Sequence, residues 1–236
     1  MWSILTEPGM RGRGWSTEEF FQSGRQAVDA LLAQAAADGL PDRRGAALDF
    51  GCGIGRLTRS LAVQFDNTVG LDISASMIRQ AEILHAGVPG LRFVHDCGNG
   101  RLPFRDGEFD LVVSLYVLQH IPAIPTIDGY VREFVRVLRL GGVAIVEMPD
   151  FLPPPPSRSL RDHVRASTRL AGLLRKLGMS PQRLRATLGW DPPMPMTALP
   201  QPHIGTLIEQ SGGHLVTATS SIDHGGARGV TYFATR

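Results

Sequence analysis

A glycine-rich segment, Leu48–Arg56, carries the clearest chemical signal in the sequence. Its letters, LDFGCGIGR, place apolar residues typical of a strand before three closely spaced glycines, Gly51, Gly53 and Gly55. Glycines let the backbone turn sharply and let a ligand approach without meeting a Cβ atom. A dinucleotide fingerprint needs glycine at its first, third and sixth positions, but the sixth position counted from Gly51 is Arg56. The segment therefore predicts a ligand-binding turn that departs from the nicotinamide-dinucleotide pattern.

Two aspartates come at the ends of later apolar stretches, Asp72 after Thr68–Leu71 and Asp96 after Leu91–His95. The carboxyl ends of parallel strands form the edge at which open α/β sheets bind ligands. A carboxylate at that edge can accept hydrogen bonds from both hydroxyls of a ribose. An aspartate in this position is also a frequent helix cap, so the functional interpretation depends on several such residues occurring in order.

His120 and Tyr116 follow a fully apolar stretch that is typical of a central strand, Phe109–Ser114. A histidine has an ordinary pKa of ~6.5, which suits proton removal near neutral pH. His120 is therefore a candidate general base, and its alternatives are a helix cap or a residue that lines a cofactor pocket. Tyr116 is a candidate for positioning an acceptor or contacting a cofactor, with ordinary packing as its alternative.

The remaining reactive side chains favour packing over chemistry. Cys52 and Cys97 are too few for a disulfide framework or a four-cysteine zinc site, and we expect small-residue packing rather than a thiol nucleophile. No histidine spacing suggests a metal site, so no metal is predicted. Trp15 and Phe20 are candidates to close over a cofactor, and a staple at the start of the first helix is the alternative.

Strand and helix patterns alternate over the first 150 residues, which is typical of a parallel α/β sheet. The first helix is predicted to begin near Ser16, because Ser16 and Glu19 have the spacing of a capping box. The predicted strands are Ala46–Phe50, Thr68–Leu71, Leu91–His95, Phe109–Ser114, Gly142–Met148, His214–Ser220 and Val230–Thr235. The other predicted helices are one that carries Leu57, Leu61 and Phe65, one capped by Ser74, Asp128–Leu138 ended by Gly141-Gly142, and His203–Gln210.

These segments resemble the class I S-adenosylmethionine-dependent methyltransferases over roughly Ala46–Met148. Leu48–Arg56 resembles the first motif of that family, and Val69–Ser74 followed by Met77 resembles its second-strand motif. The other matching segments are His95–Cys97 (the acidic loop), Phe109–Ser114 with Val117–Ile121 (the fourth strand and its loop), and Leu138–Gly142 (an LRPGG-like turn with Leu140 in place of proline).

The resemblance implies S-adenosylmethionine as cofactor, with Asp72 on the ribose hydroxyls and the loop at Asp96 on the adenine. It implies catalytic roles for His120 and Tyr116 on the acceptor side. The implied cofactor-binding residues are Asp49, Phe50, Gly51, Cys52, Gly53, Gly55, Arg56, Asp72, Ile73, Met77, Asp96, Cys97, Gly98 and Leu115.

The order of segments predicts a doubly wound, Rossmann-like α/β fold with seven mostly parallel strands and an antiparallel last strand. We expect residues 1–148 to form the N-terminal helix and the cofactor-binding core. Residues 149–202 are predicted to form a proline-bounded, basic helical insert between the fifth and sixth strands, with helices over Ser157–Leu177 and from Ser180. Residues 203–236 are predicted to complete the same domain with a helix and two strands.

Composition limits the classes of function. With 24 basic and 22 acidic residues the formal charge is +2, which argues against a generally nucleic-acid-coating chain. No apolar run approaches the ~20 residues of a membrane span, and no signal-peptide core is seen, so we expect a cytoplasmic protein. The basic charge is concentrated in Ser157–Thr187, which holds eight basic residues and one acidic residue. This segment is either a solvated helix face, a lid for an anionic substrate, or a nucleic-acid or membrane surface.

We therefore predict a methyltransferase that acts on an oxygen, nitrogen or carbon atom of a small molecule, including an anionic one. Nucleic-acid and membrane partners are not expected, and the sequence does not predict an oligomeric state. Three alternatives stay open from sequence: a nicotinamide oxidoreductase, a non-catalytic cofactor-binding subunit, and an RNA methyltransferase that uses the basic insert.

Overall fold

The computed structural model describes residues 16–153, 173–178, 196–222 and 226–236. The chain divides into two compact units, one formed by Met1–Leu152 with Thr197–Arg236 and the other by Pro153–Met196. In the second unit a short helical turn covers 173–176, and the rest of the predicted insert helices, including their basic residues before 173 and after 178, lies outside the described residues. None of the described helices combines the length and the apolar character that a membrane span requires.

The first unit alternates strands and helices as the sequence predicts. The helices are α1 (Thr17–Ala36), α2 (Thr58–Leu61), α3 (Ala75–Leu84), α4 (Ile124–Val137) and α5 (Gln201–Gln210), with a 3₁₀ turn at Leu118–His120. The strands are β1 (Ala46–Phe50), β2 (Asn67–Asp72), β3 (Leu91–His95), β4 (Phe109–Ser114), β5 (Leu138–Phe151), β6 (His214–Ile222) and β7 (Arg228–Thr235).

The seven strands form one sheet in the order β3-β2-β1-β4-β5-β7-β6. The pairs among β1 to β5 are parallel, whereas β7 is antiparallel to both β5 and β6. The chain therefore starts at the centre, moves to one edge, returns through β4 and finishes at the other edge. This order confirms the predicted fold, and it brings the carboxyl ends of β1, β2, β3 and β4 to one edge.

Apolar side chains cover both faces of the sheet. On one face, strand residues such as Leu48 and Val146 pack against α4 and α5 through Phe134 and Ile204. On the other face, Ala47, Leu111 and Ile145 pack against α1 and α2 through Val28 and Leu61. Neighbouring residues of β1, β4 and β5 alternate between these two cores. Residues two apart in a strand therefore lie on the same face of the sheet.

The helix caps agree with the sequence at two sites. Ser16 Oγ accepts from the Glu19 amide at 3.2 Å, and Glu19 Oε2 accepts from the Ser16 amide at 2.9 Å, which completes the predicted capping box. Ser74 caps α3 by accepting from the Met77 amide. These caps fix where α1 and α3 begin.

Several predicted boundaries differ from those of the structure, and three of the differences have an identifiable physical reason. The helix predicted to carry Leu57, Leu61 and Phe65 ends at Leu61, because the amides of Asp66 and Asn67 bond to Arg44 and Gly45 and turn the chain into β2. The helix predicted to run to Leu138 ends at Val137, before the glycine pair. Leu138 is already extended and pairs with Phe109, and pairing with β7 continues β5 to Phe151.

Candidate functional site

Asp72 connects the loops that follow β1 and β2. Its Oδ2 accepts from the Gly53 amide at 2.8 Å and its Oδ1 accepts from the Ser74 amide at 2.8 Å. Each carboxylate oxygen has a second lone pair, and the side chain is only partly buried. Asp72 can therefore hold the glycine loop in place and still accept hydrogen bonds from a diol.

Ile73 and Gly98 lie side by side beyond Asp72. The Ile73 side chain is 65% exposed, and a Cβ atom at Gly98 would lie 2.5 Å from Ile73 Cδ1. Gly98 has a φ of +71°, so both its conformation and its neighbour favour glycine. Met77, also predicted here, is partly buried on the first turn of α3. Ile73 therefore offers an exposed apolar side chain directly after Asp72 in sequence.

Asp96 is tied to Asp72 and to α4. Its amide donates to the Asp72 carbonyl at 2.9 Å, and its side chain, 4% exposed, accepts a short hydrogen bond from the Tyr130 hydroxyl through Oδ2. Tyr130 was not predicted from sequence, where it is only an apolar-face residue of a helix. Cys97, the next residue, is an exposed free thiol. The loops after β1, β2 and β3 are therefore joined through two neighbouring aspartates.

The glycine loop is shaped by packing as well as by its turn. Gly51 has a φ of +78°, and a Cβ atom there would lie 2.3 Å from Val117 Cγ2 in the loop after β4. Gly55 has a φ of +89°, and a Cβ atom there would lie 2.7 Å from His85 Nε2, which bonds to the Ile54 carbonyl. The third glycine thus accommodates a buried histidine of the same chain, while the first accommodates the β4 loop.

Three predicted site residues direct their side chains inward. Asp49, 2% exposed, accepts from the Thr58 hydroxyl at 2.6 Å, and burial raises its pKa to about 6. The Phe50 ring packs on Tyr130 with ring centres 4.5 Å apart. Burial also raises the pKa of the Cys52 thiol, which stays protonated at neutral pH. A ligand in the loop can meet the backbone of Phe50 and Cys52, but their side chains belong to the interior.

Arg56 places a positive charge close enough to act on two carboxylates. Its charge acts to lower the pKa of Asp49 and that of Glu147, opposing the effect of burial on each. Glu147, near the carboxyl end of β5, is partly buried, and burial raises its pKa to about 7. Glu147 was not predicted from sequence, although a lone acidic residue after the apolar run Val143–Val146 is a detectable signal.

The loop after β4 carries the predicted catalytic residues. Leu115 is partly buried and packs against the α1–α2 core. Tyr116 is 49% exposed and has a φ of +61°, a left-handed conformation that is uncommon for an aromatic residue. His120 ends the 3₁₀ turn, and partial desolvation lowers its pKa below 6.5. A neutral imidazole at pH 7 can accept a proton.

Residues that return from the second unit brace this loop. The Thr197 amide donates to the Gln119 carbonyl at 2.8 Å, and the Thr197 hydroxyl donates to the Ile121 carbonyl at 3.0 Å. Two residues later, the Leu199 amide donates to the Pro149 carbonyl in β5 at 2.9 Å. The turn that ends in His120 is thus held between β4, β5 and the segment that leads into α5.

The arrangement fits an adenosyl ligand with a positively charged reactive group. Asp72 offers carboxylate lone pairs for ribose hydroxyls, and Ile73 offers an apolar surface for a planar base. Glu147, near the carboxyl end of β5, provides a partly buried carboxylate for a cation. Among the residues the structure describes, no cluster of three histidine, cysteine or acidic side chains is arranged to hold a metal ion.

Comparison with known proteins agrees with this geometry. Residues 48–146 match a family described as "Methyltransferase domain". The chain is 32% identical over 130 residues to the 2-methyl-6-phytyl-1,4-hydroquinone methyltransferase of Synechocystis sp., covering 55% of this chain and 39% of that protein. It is 36% identical over 139 residues to the trans-aconitate 2-methyltransferase of Deinococcus radiodurans, covering 57% of this chain and 49% of that protein.

Solved structures show the same fold at lower identity. The magnesium protoporphyrin IX methyltransferase of Synechocystis PCC 6803, solved with bound SAH, superposes with a TM-score of 0.59 at 19% identity, covering 96% of this chain and 91% of that one. An S-adenosylmethionine-dependent methyltransferase from Clostridium acetobutylicum superposes with a TM-score of 0.60 at 15% identity, covering 88% and 89%.

The aligned regions span half or less of the length of the two curated relatives above. The matched region contains the glycine loop, Asp72, Asp96 and the turn that ends in His120, which are the parts that form the candidate site. The sequence match and the strand order of the sheet therefore agree that this region is similar to a methyltransferase domain.

Proposed function

We propose that this chain transfers the methyl group of S-adenosylmethionine to an oxygen, nitrogen or carbon atom of a small-molecule acceptor. The observation that carries the proposal is the Asp72 carboxylate, which joins two loops at the carboxyl edge and keeps lone pairs for a ribose. The names of the relatives, which include a hydroquinone and an aconitate methyltransferase, support a small-molecule acceptor. The cytoplasmic location expected from sequence stays a prediction.

In the proposed complex the residues divide into a cofactor side and an acceptor side. Asp72 binds the ribose hydroxyls, Ile73 packs on the adenine, and the backbone from Gly51 to Gly53 approaches the methionine portion. When bound, S-adenosylmethionine supplies an electrophilic methyl carbon. The chain's main contribution is to orient the nucleophile at ~3 Å from that carbon and to exclude water.

The acceptor side is proposed to include Tyr116 and His120. The left-handed conformation of Tyr116 directs the β4 loop across the end of the strand, and the Thr197 hydrogen bonds hold the turn that ends in His120. His120, neutral at pH 7, can accept a proton from an acceptor that must lose one. No described residue gives specific support to RNA as the acceptor.

Replacing Asp72 tests the cofactor side. Asp72→Ala removes the carboxylate that accepts the ribose hydroxyls, so affinity for S-adenosylhomocysteine should fall by at least about tenfold, the effect of losing one charge-assisted hydrogen bond. Isothermal titration calorimetry measures the affinity, and circular dichroism checks that the variant is folded. Asp66→Ala, an exposed aspartate at the amino end of β2, is the matched control and should bind as the wild type does. Equal affinity of both variants would place the ribose elsewhere.

Labelled-methyl transfer tests the reaction itself. The protein is incubated with methyl-labelled S-adenosylmethionine and a native-host extract divided into small-molecule, protein and RNA fractions. We expect label in the small-molecule fraction, absent with Asp72→Ala, and mass spectrometry identifies the product. Label in RNA, with transfer that falls steeply as salt rises, would support the nucleic-acid alternative instead.

A further inference from the structure

Glu147 lies where the acceptor side of the proposed site meets the cofactor side. In the parallel register, Asp49 of β1 pairs with Val113 of β4, and Val113 pairs with Ile145 of β5. Glu147, two residues beyond Ile145, therefore lies on the same face of the sheet as Asp49. It also lies one residue beyond the partner of Ser114, so its side chain projects past the end of β4, where the loop with Tyr116 begins.

The fold leaves room for the carboxylate of Glu147. Gly229 of β7 lies beside it, and a Cβ atom at Gly229 would lie 3.1 Å from Glu147 Oε1. A residue larger than glycine at position 229 would therefore crowd the Glu147 carboxylate.

Among the described residues, Arg56 is the charged group that acts on Glu147. Arg56, at the end of the glycine loop, attracts the carboxylate and shares its charge with Asp49. The strands β7 and β6 contribute Gly229, Thr231 and Ser221, none of which ionises near neutral pH. Burial of Glu147 outweighs the effect of Arg56 and raises the pKa of the Glu147 carboxyl to about 7. At physiological pH the carboxyl group is therefore present in both its protonated and its ionised form.

We propose that Glu147 is the proton acceptor for the methyl acceptor's N–H or O–H group and the anionic neighbour of the positively charged sulfur. This inference rests on the proposed function, and it assigns the acceptance of the acceptor's proton to Glu147 rather than to His120. In the step, the acceptor heteroatom bonds to the methyl carbon and the carbon–sulfur bond breaks with its electron pair going to sulfur. The acceptor's proton passes to a Glu147 carboxylate oxygen and from there to water.

The charges balance at a partly buried site. Before the step there is one positive sulfur and one negative carboxylate, and afterwards there is a neutral thioether and a neutral carboxylic acid. No net charge is created in a region from which water is partly excluded, where an unpaired charge is costly. The proposal favours acceptors whose nucleophile is an amine or a hydroxyl, since methylation of these groups releases a proton that Glu147 can accept.

The test compares the binding of S-adenosylmethionine with that of S-adenosylhomocysteine, which lacks the positive charge on sulfur. The positive sulfur of S-adenosylmethionine favours the ionised form of Glu147. Binding of S-adenosylmethionine at pH 7 should therefore release up to about half a proton from Glu147, whose pKa is near 7. Between pH 6 and 8 the affinity for S-adenosylmethionine should rise by up to about tenfold, because the ionised fraction of Glu147 rises from about one tenth to about nine tenths. Calorimetry in buffers of different ionisation enthalpy measures both quantities.

In Glu147→Gln, the difference in proton release between the two ligands should disappear, while affinity for S-adenosylhomocysteine stays near the wild-type value. Glu147→Asp should restore part of the difference, because it keeps a titrating carboxylate. Glu108→Gln, the same change at the amino end of β4, is the control and should behave as wild type. The titrating amino group of the ligand contributes equally in all four proteins.

Two results would overturn the inference while leaving the proposed function intact. One is unchanged proton release in Glu147→Gln, and the other is loss of that release in His120→Gln instead. If the wild type binds neither ligand, it is the proposed function that fails. Circular dichroism and thermal unfolding of each variant establish that a lost signal does not reflect an unfolded protein.

Discussion

Single carboxylates at the carboxyl edge differ in what stabilises them. Asp49 is 2% exposed, and this burial disfavours its ionised form more than the hydrogen bond from the Thr58 hydroxyl favours it. The rise of its pKa from 3.8 to about 6 corresponds to about 3 kcal/mol of folding stability lost as pH rises through that range. A residue that lowers stability in this way at a ligand-binding edge is typical of a functional group.

Asp96 depends on Tyr130 instead, and this dependence gives a residue-scale prediction. Tyr130→Phe deletes the hydroxyl that donates to the buried Asp96 carboxylate. Because a buried charged acceptor then loses its partner, the free energy of unfolding should fall by about 1–3 kcal/mol. Urea denaturation at pH 7 measures the change.

Tyr232→Phe is the matched control for this prediction. Tyr232 is equally buried, but its hydroxyl has no hydrogen-bond partner among the described residues. Deleting it should change the unfolding free energy by less than about 0.5 kcal/mol or stabilise the protein, since a buried polar group without a partner is removed. Equal losses in the two variants would show that the Tyr130–Asp96 bond contributes nothing specific.

Among single residues, the sequence predicts the site residues that lie within a family motif. It misses those whose role depends on neighbours that are distant in sequence. Asp72 and Asp96 follow strands within recognisable motifs, and the structure brings both to the site edge. Tyr130 and Glu147 acquire their environments from strands and helices that are distant in sequence. Gly55 belongs to the motif, yet it also faces His85, a contact that no local pattern reveals.

At the scale of elements, the site is a set of loops that pack into one another. The glycine loop after β1 fits against the β4 loop because Gly51 has no side chain where Val117 lies. The amides of Gly51 and Cys52 also donate to the Leu71 carbonyl at the end of β2. The position of one loop therefore determines the positions of its two neighbours.

Gly51→Ala should disrupt this packing. The new Cβ atom would meet Val117 at 2.3 Å, in a backbone conformation with φ of +78°. Strain in the left-handed region costs about 1–2 kcal/mol, and overpacking adds about 1–3 kcal/mol. We expect a loss of about 2–5 kcal/mol in the free energy of unfolding, measured by denaturant titration, together with weaker binding of S-adenosylhomocysteine.

Gly39→Ala separates the two contributions. Gly39 has a similar φ of +72°, but no atom lies within 4 Å of the position that a Cβ atom would take there. This variant should therefore lose only the conformational part, about 1–2 kcal/mol. Val117→Ala in the Gly51→Ala background should recover part of the larger loss. Equal losses at the two glycines would mean that the contact between the loops is unimportant.

The existence and order of the elements follow from sequence, whereas some boundaries depend on partners. Three strands, Ala46–Phe50, Leu91–His95 and Phe109–Ser114, have the predicted bounds, and in the first and third of these the strand is almost fully buried. By contrast, the extension of β5 to Phe151 requires β7 alongside it. The early end of α2 arises from bonds to residues before β1. Neither partner can be read from the local pattern.

At the scale of the molecule, the described cofactor-side residues belong to one compact unit built from two separate parts of the chain. The unit combines Met1–Leu152 with Thr197–Arg236, and the Thr197 and Leu199 hydrogen bonds join the second part to the site edge. The basic residues that make the formal charge +2 are concentrated in sequence outside this unit, in Ser157–Thr187. The charge of the whole chain therefore does not describe the unit that binds the cofactor.

Because the site is built from loops throughout this unit, ligand binding should stabilise the unit as a whole. A ligand at one hundred times its dissociation constant adds about 2.7 kcal/mol to the folded state. For a chain of this size that corresponds to an increase in Tm of roughly 5–10 °C. Differential scanning calorimetry with S-adenosylhomocysteine should show this increase, and Asp72→Ala, with at least about tenfold weaker affinity, should lose about half of it or more at the same ligand concentration. NADH at the same concentration should leave the Tm unchanged, because Arg56 stands where the dinucleotide fingerprint needs glycine. An increase in Tm with NADH and none with S-adenosylhomocysteine would reverse the proposed choice of cofactor.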